Sequence, residues 1–296
     1  MPLTQRFNRL EFIQQLDPIQ DHAQIYHILA GYEFPWDINK ALELALMKTF
    51  CVPSISKLLD KTGEFHHHGQ KRYDDTGLIV SRMVKYGYLV GQGKAALERM
   101  NKIHQHFPIK NDDYLYVLSG FIYEPIRWIE RFGWRPLCER EKLAMYYFWC
   151  AVGQEMGIKD IPESYALFEQ YNQNYEQQYF YYCDANARVG ESTVQIFLHW
   201  FPAMFRPILR PLIYAMLEES MLEAFGLPSP PAYQRSFVSN TLKFRGYLLS
   251  YFPPRQRPDF YLDRQHLSYP GGHSLKDVGP VGMLEELNRE RPEQSN

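Results

Sequence analysis

The 296-residue chain has little of what marks several large classes of protein. Its four cysteines (Cys51, Cys138, Cys150, Cys183) stand apart with no C-x-x-C pair, which excludes a disulfide framework and a cysteine-based structural zinc site. Reduced thiols of this kind suit a cytoplasmic compartment. The C-x-x-C-H signature is missing as well, so covalently attached haem is excluded. No run of about 18 apolar residues is present to form a transmembrane helix, and Met1–Gln20 is too polar for a secretory core or a membrane anchor. With 32 Lys plus Arg against 34 Asp plus Glu, the formal charge of −2 offers no electrostatic grip on nucleic acid. There is no fixed-period repeat and no low-complexity tract.

What the chain does have is 45% apolar and 16% aromatic residues, enough for a sizeable core, with helical spacing over most of its length. Ile38, Ala41, Leu42, Ala45 and Phe50 recur at helical period after Asp37, and Pro53 with Ser54 restarts the pattern. Further helices are expected from Gly93 towards Pro108, from Asn111 to Gly133 across Pro125, and from Glu139 to Met156. Others should run from Pro162 towards Tyr182, from Asp184 to Trp200 and from Pro207 to Phe225, closed by Gly226. A short strand is expected only at residues 86–90, with none of the βα alternation of a doubly wound sheet. The fold is therefore expected to be all-α, a single multi-helix domain over residues 1–250. From Tyr251 onward Pro, Gly, Arg and Asp point to an irregular, surface-draped tail over 251–296, of which the last fifteen or so residues look disordered.

Several local patterns carry candidate chemistry. Gly91-Gln-Gly-Lys-Ala-Ala96 matches G-x-G-x-x-A, with Asp112 and Asp113 about twenty residues on, but a dinucleotide site needs further βα units. A turn opening a helix is the simpler reading. Glu64-x-x-His67, within the His66–His68 run, is formally half of a di-iron motif; its second copy is missing, and the segment reads as a solvated loop. Ala96, Leu97, Met100, Ile103 and Phe107 form one apolar stripe that contains His104, whereas His106 lies about 200° away round the helix. His104 should face inward, either as a core histidine or as a ligand. In Lys71-Arg-Tyr-Asp-Asp-Thr76, Arg72 and Thr76 are four residues apart, so a helix would set a permanent cation and a hydroxyl on one patch, suited to an anionic or oxygen-rich ligand. An exposed first turn capped by Asp74 or Asp75 is the ordinary alternative.

Phe34-Pro-Trp-Asp37, Lys71-Arg-x-Asp-Asp-Thr76, Met100-Asn-x-Ile-His104, Phe132-Gly-Trp-Arg135 and Met156-Gly-Ile-x-x-Ile-Pro162 together resemble the MpaB / rubber oxygenase catalytic domain family over roughly residues 30–250. The resemblance implies an all-helical fold with a globin-like core, a non-covalent haem b and oxidative cleavage of isoprenoid carbon–carbon double bonds. It implies that His104 is the axial ligand to the haem iron, in keeping with its place on an apolar stripe. Arg72 and Thr76 match the family's Arg-x-x-x-Thr pair beside the haem, as cofactor-binding and catalytic residues. Two departures stand out: Asp75 occupies the place of the rubber oxygenase's distal lysine, and Glu64 is the only acid close upstream of Arg72 to match its presumed base.

The function expected on this reading is a haem b-dependent oxygenase that cleaves or oxidises an apolar, isoprenoid-like alkene with dioxygen. Its alternative is a haem- or lipid-binding helical protein without turnover. Phe197, Trp200, Phe201, Met204 and Phe205 are expected to wall the substrate channel. Arg206 and Arg210 beside Ile208, Leu209 and Leu212 suggest a peripheral membrane contact, with solvated arginines on a packed helix as the plainer account.

Overall fold

The computed structural model describes residues 6–289. The described chain is built from helices, and its only β-type pairing is an isolated bridge between His266 and Tyr269. Short helices α1 (Asn8–Ile13) and α2 (His22–Ile28) lead through a π-helical turn, Leu29–Glu33, into α3 (Pro35–Thr49) and α4 (Pro53–Thr62). Both α3 and α4 start with proline in the first turn, where the missing N–H is no loss and the fixed φ suits a helix. The one-turn α5 (Glu64–His67) precedes the hairpin of α6 (Gly69–Tyr86) and α7 (Gly91–His104). Then come α8 (Asn111–Phe132), which accommodates Pro125, α9 (Glu139–Glu155), α10 (Tyr165–Tyr179) and α11 (Asp184–His199). The last large elements are α12 (Arg206–Met216), α13 (Glu219–Phe225) and α14 (Ala232–Ser250), and α15 (Leu284–Asn288) ends the described chain.

The recurring aromatic and charged motifs pin these helices together. Trp128 Nε1 and the Arg245 guanidinium both donate to Asp37 Oδ1, at 3.2 and 2.9 Å, so α3, α8 and α14 meet at one carboxylate. Arg135 forks onto Glu141 at 2.6 and 2.7 Å and reaches Glu33 at 3.2 Å, while Trp134 Nε1 donates to the Glu33 carbonyl. This buried pair of carboxylates around one guanidinium ties the α8–α9 connection to the turn before α3.

Three expectations are corrected, and the reading of Gly91–Ala96 as a turn opening a helix is borne out. Residues 86–90 form no strand: Tyr86 closes α6 and the following residues bend into α7. Gly91–Ala96 is the first turns of α7, and a Cβ on Gly93 would lie 1.6 Å from the Gly87 carbonyl oxygen. That glycine serves a close approach between the ends of α6 and α7, not a phosphate cradle. The segment 207–225 is two helices, because the chain turns extended at Leu217 and Glu218. Of the final fifteen residues, Gly282–Asn288 are helical and Leu287 is buried, while residues 290–296 and Met1–Gln5 lie outside the described residues. The segment after Tyr251 is irregular but locked down: Phe260 packs over Gly31, and Arg99 holds the carbonyls of Val278 and Leu287, each at 2.8 Å.

Candidate functional site: an apolar cavity with an unpaired cation and imidazole

The faces of α3, α4, α6, α7, α8 and α11 that turn towards one another do not close completely. They enclose a cavity of about 240 Å³ whose walls are largely apolar, among them Met47, Phe50, Phe65, Val80, Phe121 and Phe197. Arg72, Thr76 and His104 all line it, and Glu64 joins them. Residues predicted from two separate helices thus meet at one site.

Arg72 and Thr76 come to the cavity because α6 is helical through both. Residues 72, 76, 79, 80 and 83 fall within about 100° of arc at 100° per residue, and all line the cavity. The Thr76 hydroxyl donates to the Arg72 carbonyl at 2.9 Å, so its hydrogen is committed and its lone pairs remain. The guanidinium of Arg72 has no hydrogen-bonded or ion-paired partner among the described residues; only its backbone is engaged. Burial pulls its pKa down, and the charges of Asp75 and Glu64 oppose that.

His104 reaches the same space from the last turn of α7, and His106 points outward to Glu286 at 3.2 Å. The His104 ring sits edge-on to Tyr114, with centroids 5.5 Å apart, and neither ring nitrogen forms a hydrogen bond among the described residues. Nδ1 is shut away in the protein without a partner, which leaves Nε2 as the nitrogen open to the cavity. Burial first, and the Arg72 charge second, lower the imidazole pKa from 6.5 to about 4. Below that value only does the ring become a cation, so at neutral pH it keeps a lone pair for a ligand.

Other expected residues lie elsewhere. Asp75 does not face the cavity. It accepts from Lys71 Nζ at 2.7 Å, from the Gly279 N–H at 3.0 Å and from the Tyr269 hydroxyl, so it fastens the tail to α6. The channel walls expected at Phe201, Met204 and Phe205 are exposed on the surface, and of that group only Phe197 lines the cavity. Trp200 packs at a tilt against Tyr73, with ring centroids 5.0 Å apart, and donates to Gln70. His66, predicted in a loop, is in α5 and bonds Asp60 and Ser192 at 2.9 Å each. Among the described residues no group of three or more His, Cys, Asp or Glu is arranged to hold a metal ion.

Glu43, Tyr73, Thr193 and Pro280 also line the cavity, and no local pattern in the sequence marks them as doing so. The Tyr73 hydroxyl donates to Glu43 at 2.6 Å, and Lys40 binds the same carboxylate at 2.8 Å. Asp113, a further lining acid, is held by Ser54 and Tyr175. Glu64 is therefore the lining carboxylate whose oxygens have no partner among the described residues.

Residues 41–247 match the family described as ER-bound oxygenase mpaB/B'/Rubber oxygenase, catalytic domain. The chain belongs to this family. It is similar to ER-bound oxygenase mpaB' of Penicillium brevicompactum, with 28% identity over 246 residues, 77% of this chain and 58% of that protein. ER-bound oxygenase mpaB of Penicillium roqueforti (strain FM164) is 28% identical over 223 residues, 69% of this chain and 75% of that protein. ER-bound oxygenase mpaB of Penicillium brevicompactum is 31% identical over 169 residues, 51% and 43% of the two chains. The chain thus spans 58% of the length of the first of these mpaB-type relatives. All three predicted site residues fall inside the family match, whereas Pro280 of the cavity wall lies beyond it.

Proposed function

We propose that this mpaB-type protein is a haem b-dependent oxygenase acting with dioxygen on a carbon–carbon double bond of an apolar, isoprenoid-like substrate. The observation that carries the reading is an imidazole open at Nε2 beside an unpaired guanidinium in one apolar cavity. A single histidine suits an iron whose other ligands come with the cofactor, since a bare ion would need several protein donors. The apolar walls suit a porphyrin face, and a cation without a partner suits a carboxylate such as a propionate. The donor set therefore fits haem b, with His104 as the iron ligand and Arg72 and Thr76 beside it. When bound, the haem would supply the redox chemistry that lets dioxygen react with an alkene.

The chain's own groups have defined tasks on this reading. His104 stays neutral because burial and Arg72 depress its pKa, so its lone pair is available without loss of a proton. Arg72 keeps its charge, and in apolar surroundings its N–H groups orient an anionic or oxygen-rich partner more strongly than at a wetted surface. Thr76 presents acceptor lone pairs, and the free Glu64 is the carboxylate placed to take up a proton. The phenyl and methionine walls exclude water and receive an apolar chain. We keep the cytoplasmic placement as an expectation for fractionation to test. No described helix is long and apolar enough to cross a membrane.

Reconstitution with haemin tests the cofactor. A Soret band is expected for the native chain and its loss for His104→Ala, with the far-UV circular dichroism of the two alike; a full-strength band in the variant overturns the ligand assignment. Oxygen uptake by the reduced holoprotein with an isoprenoid alkene then separates an oxygenase from a haem or lipid carrier, which would consume none.

A further inference from the structure

Helix α14 is fixed to the body by one side only. Leu242 and Leu249 pack on the main core, and Arg245 stacks on Trp36 at 3.7 Å while pairing with Asp37. Gly246 lies so close to α8 that a Cβ would sit 2.4 Å from the Phe132 carbonyl oxygen. The helix cannot roll to hide its other side. That other side carries Tyr233, Phe237, Phe244, Tyr247 and Tyr251, which fall within about 80° of arc at 100° per residue and make a ridge roughly 28 Å long. Each is 59–70% exposed. Phe252, just past the helix end, is also exposed, and Met204, Phe205 and Ile208, on and just before α12, stand exposed on the element packed beside it. Single exposed apolar residues need no account, but an aromatic ridge of this length does.

The charge around the ridge says what covers it. Between Glu223 and Asp259 the chain has no acidic residue and five basic ones, Arg235, Lys243, Arg245, Arg255 and Arg257. Arg235 and Arg245 are neutralised by Glu219 and Asp37. Arg255 shares Asp259 at 3.4 Å, and Lys243 and Arg257 have no acidic partner among the described residues. Arg6 joins the same end of α14 by donating to the carbonyls of Leu249 and Pro253. We propose that the α14 ridge is a docking surface for an anionic lipid membrane, with its Tyr and Phe rings seated at the headgroup level and Lys243, Arg255 and Arg257 against the negative headgroups. Rings of this type belong at the lipid–water boundary, and unpaired cations at their flank add attraction to anionic lipid. A second copy of the chain fits less well, because the face has no acids to offset like charges brought together. The proposal is independent of the haem reading.

Flotation of the full chain with phosphatidylcholine vesicles, with and without roughly one-third phosphatidylserine, tests it. Binding to the anionic vesicles is expected, weakened by salt and about tenfold weaker for Lys243→Glu/Arg257→Glu. Replacing Tyr233, Phe237 and Phe244 together by serine should abolish it, with circular dichroism and melting temperature near native because the three side chains are largely exposed. Equal binding to neutral vesicles overturns the lipid class. No binding to either kind overturns the proposal, and a concentration-dependent dimer in light scattering that the triple serine variant abolishes assigns the ridge to a second copy instead.

Discussion

The two sides of α6 handle polar groups in opposite ways. On the side covered by the tail, Asp74 accepts from Tyr261 at 2.9 Å, from the Ser268 N–H at 3.0 Å and from Gln70 at 3.0 Å, and Asp75 is held by Lys71, Gly279 and Tyr269. On the side facing the cavity, the Arg72 guanidinium is left without a partner a turn away from these carboxylates, close to an equally unpartnered His104. Both sides are largely removed from bulk water. A buried charge that is fully paired holds parts of a fold together, whereas one that is left open stores binding capacity for something that is not part of the chain.

Breaking the satisfied side should have the larger effect on stability. Asp75→Ala removes the carboxylate of a mostly buried ion pair, leaving the Lys71 charge with only neutral acceptors and the Gly279 N–H without a partner, so a loss of about 3–5 kcal/mol is expected in urea unfolding. Earlier protease cleavage within residues 264–280 should accompany it. A variant as stable as the native chain would show that the tail contacts do not bear on the fold. The next effect is pH-dependent. Because the folded-state pKa of His104 is about 4 against 6.5 unfolded, the unfolded chain binds the extra proton first as pH falls. Its contribution is intact above about 6.5 and is lost on descent to about 4, an amount of up to about 3 kcal/mol. Unfolding of haem-free native protein and of His104→Leu over this range should therefore diverge, the variant having the flatter profile. Equal slopes would mean that the imidazole is hydrated in the folded protein.

The open side should tolerate the loss of its charge. Arg72→Leu removes a desolvated cation that has no partner, so the change in haem-free stability should stay within about 1 kcal/mol and can be favourable. The same variant should retain haem but shift its absorption maximum or its activity. A large destabilisation without any change in the haem spectrum would place Arg72 with Asp75 among the structural charges.

His104 was legible from its position in the apolar stripe of α7, whereas Arg72 and Thr76, an i, i+4 pair only if α6 is helical, were singled out by the family motif. Most helices from α3 to α11 were legible through their prolines, glycines and apolar spacing, but α5 reads as a loop in the sequence and α6 only as a conditional helix. The partners of those three residues were not. Whether Asp75 faces the ligand or the tail depends on Tyr269 and Gly279, roughly two hundred positions away, and the lining by Glu43, Thr193 and Pro280 joins elements that no local pattern relates. The aromatic stretch before α12 is the reverse case. Its density of rings suggested a buried wall, yet among the described residues no helix covers Phe201, Met204 or Phe205, which are exposed.

By itself, then, the amino-acid order determined that this chain is helical, where most helices begin and stop, and that His104 shares an apolar stripe while His106 does not. These follow from backbone sterics and the 3.6-residue repeat, which act over a few neighbours. Only the tertiary structure decided which buried charges find a partner, how far the helices stand apart, and which aromatic faces are left uncovered. Those outcomes depend on the distance between side chains far apart in the chain, and that distance exists only once the whole set of helices has packed.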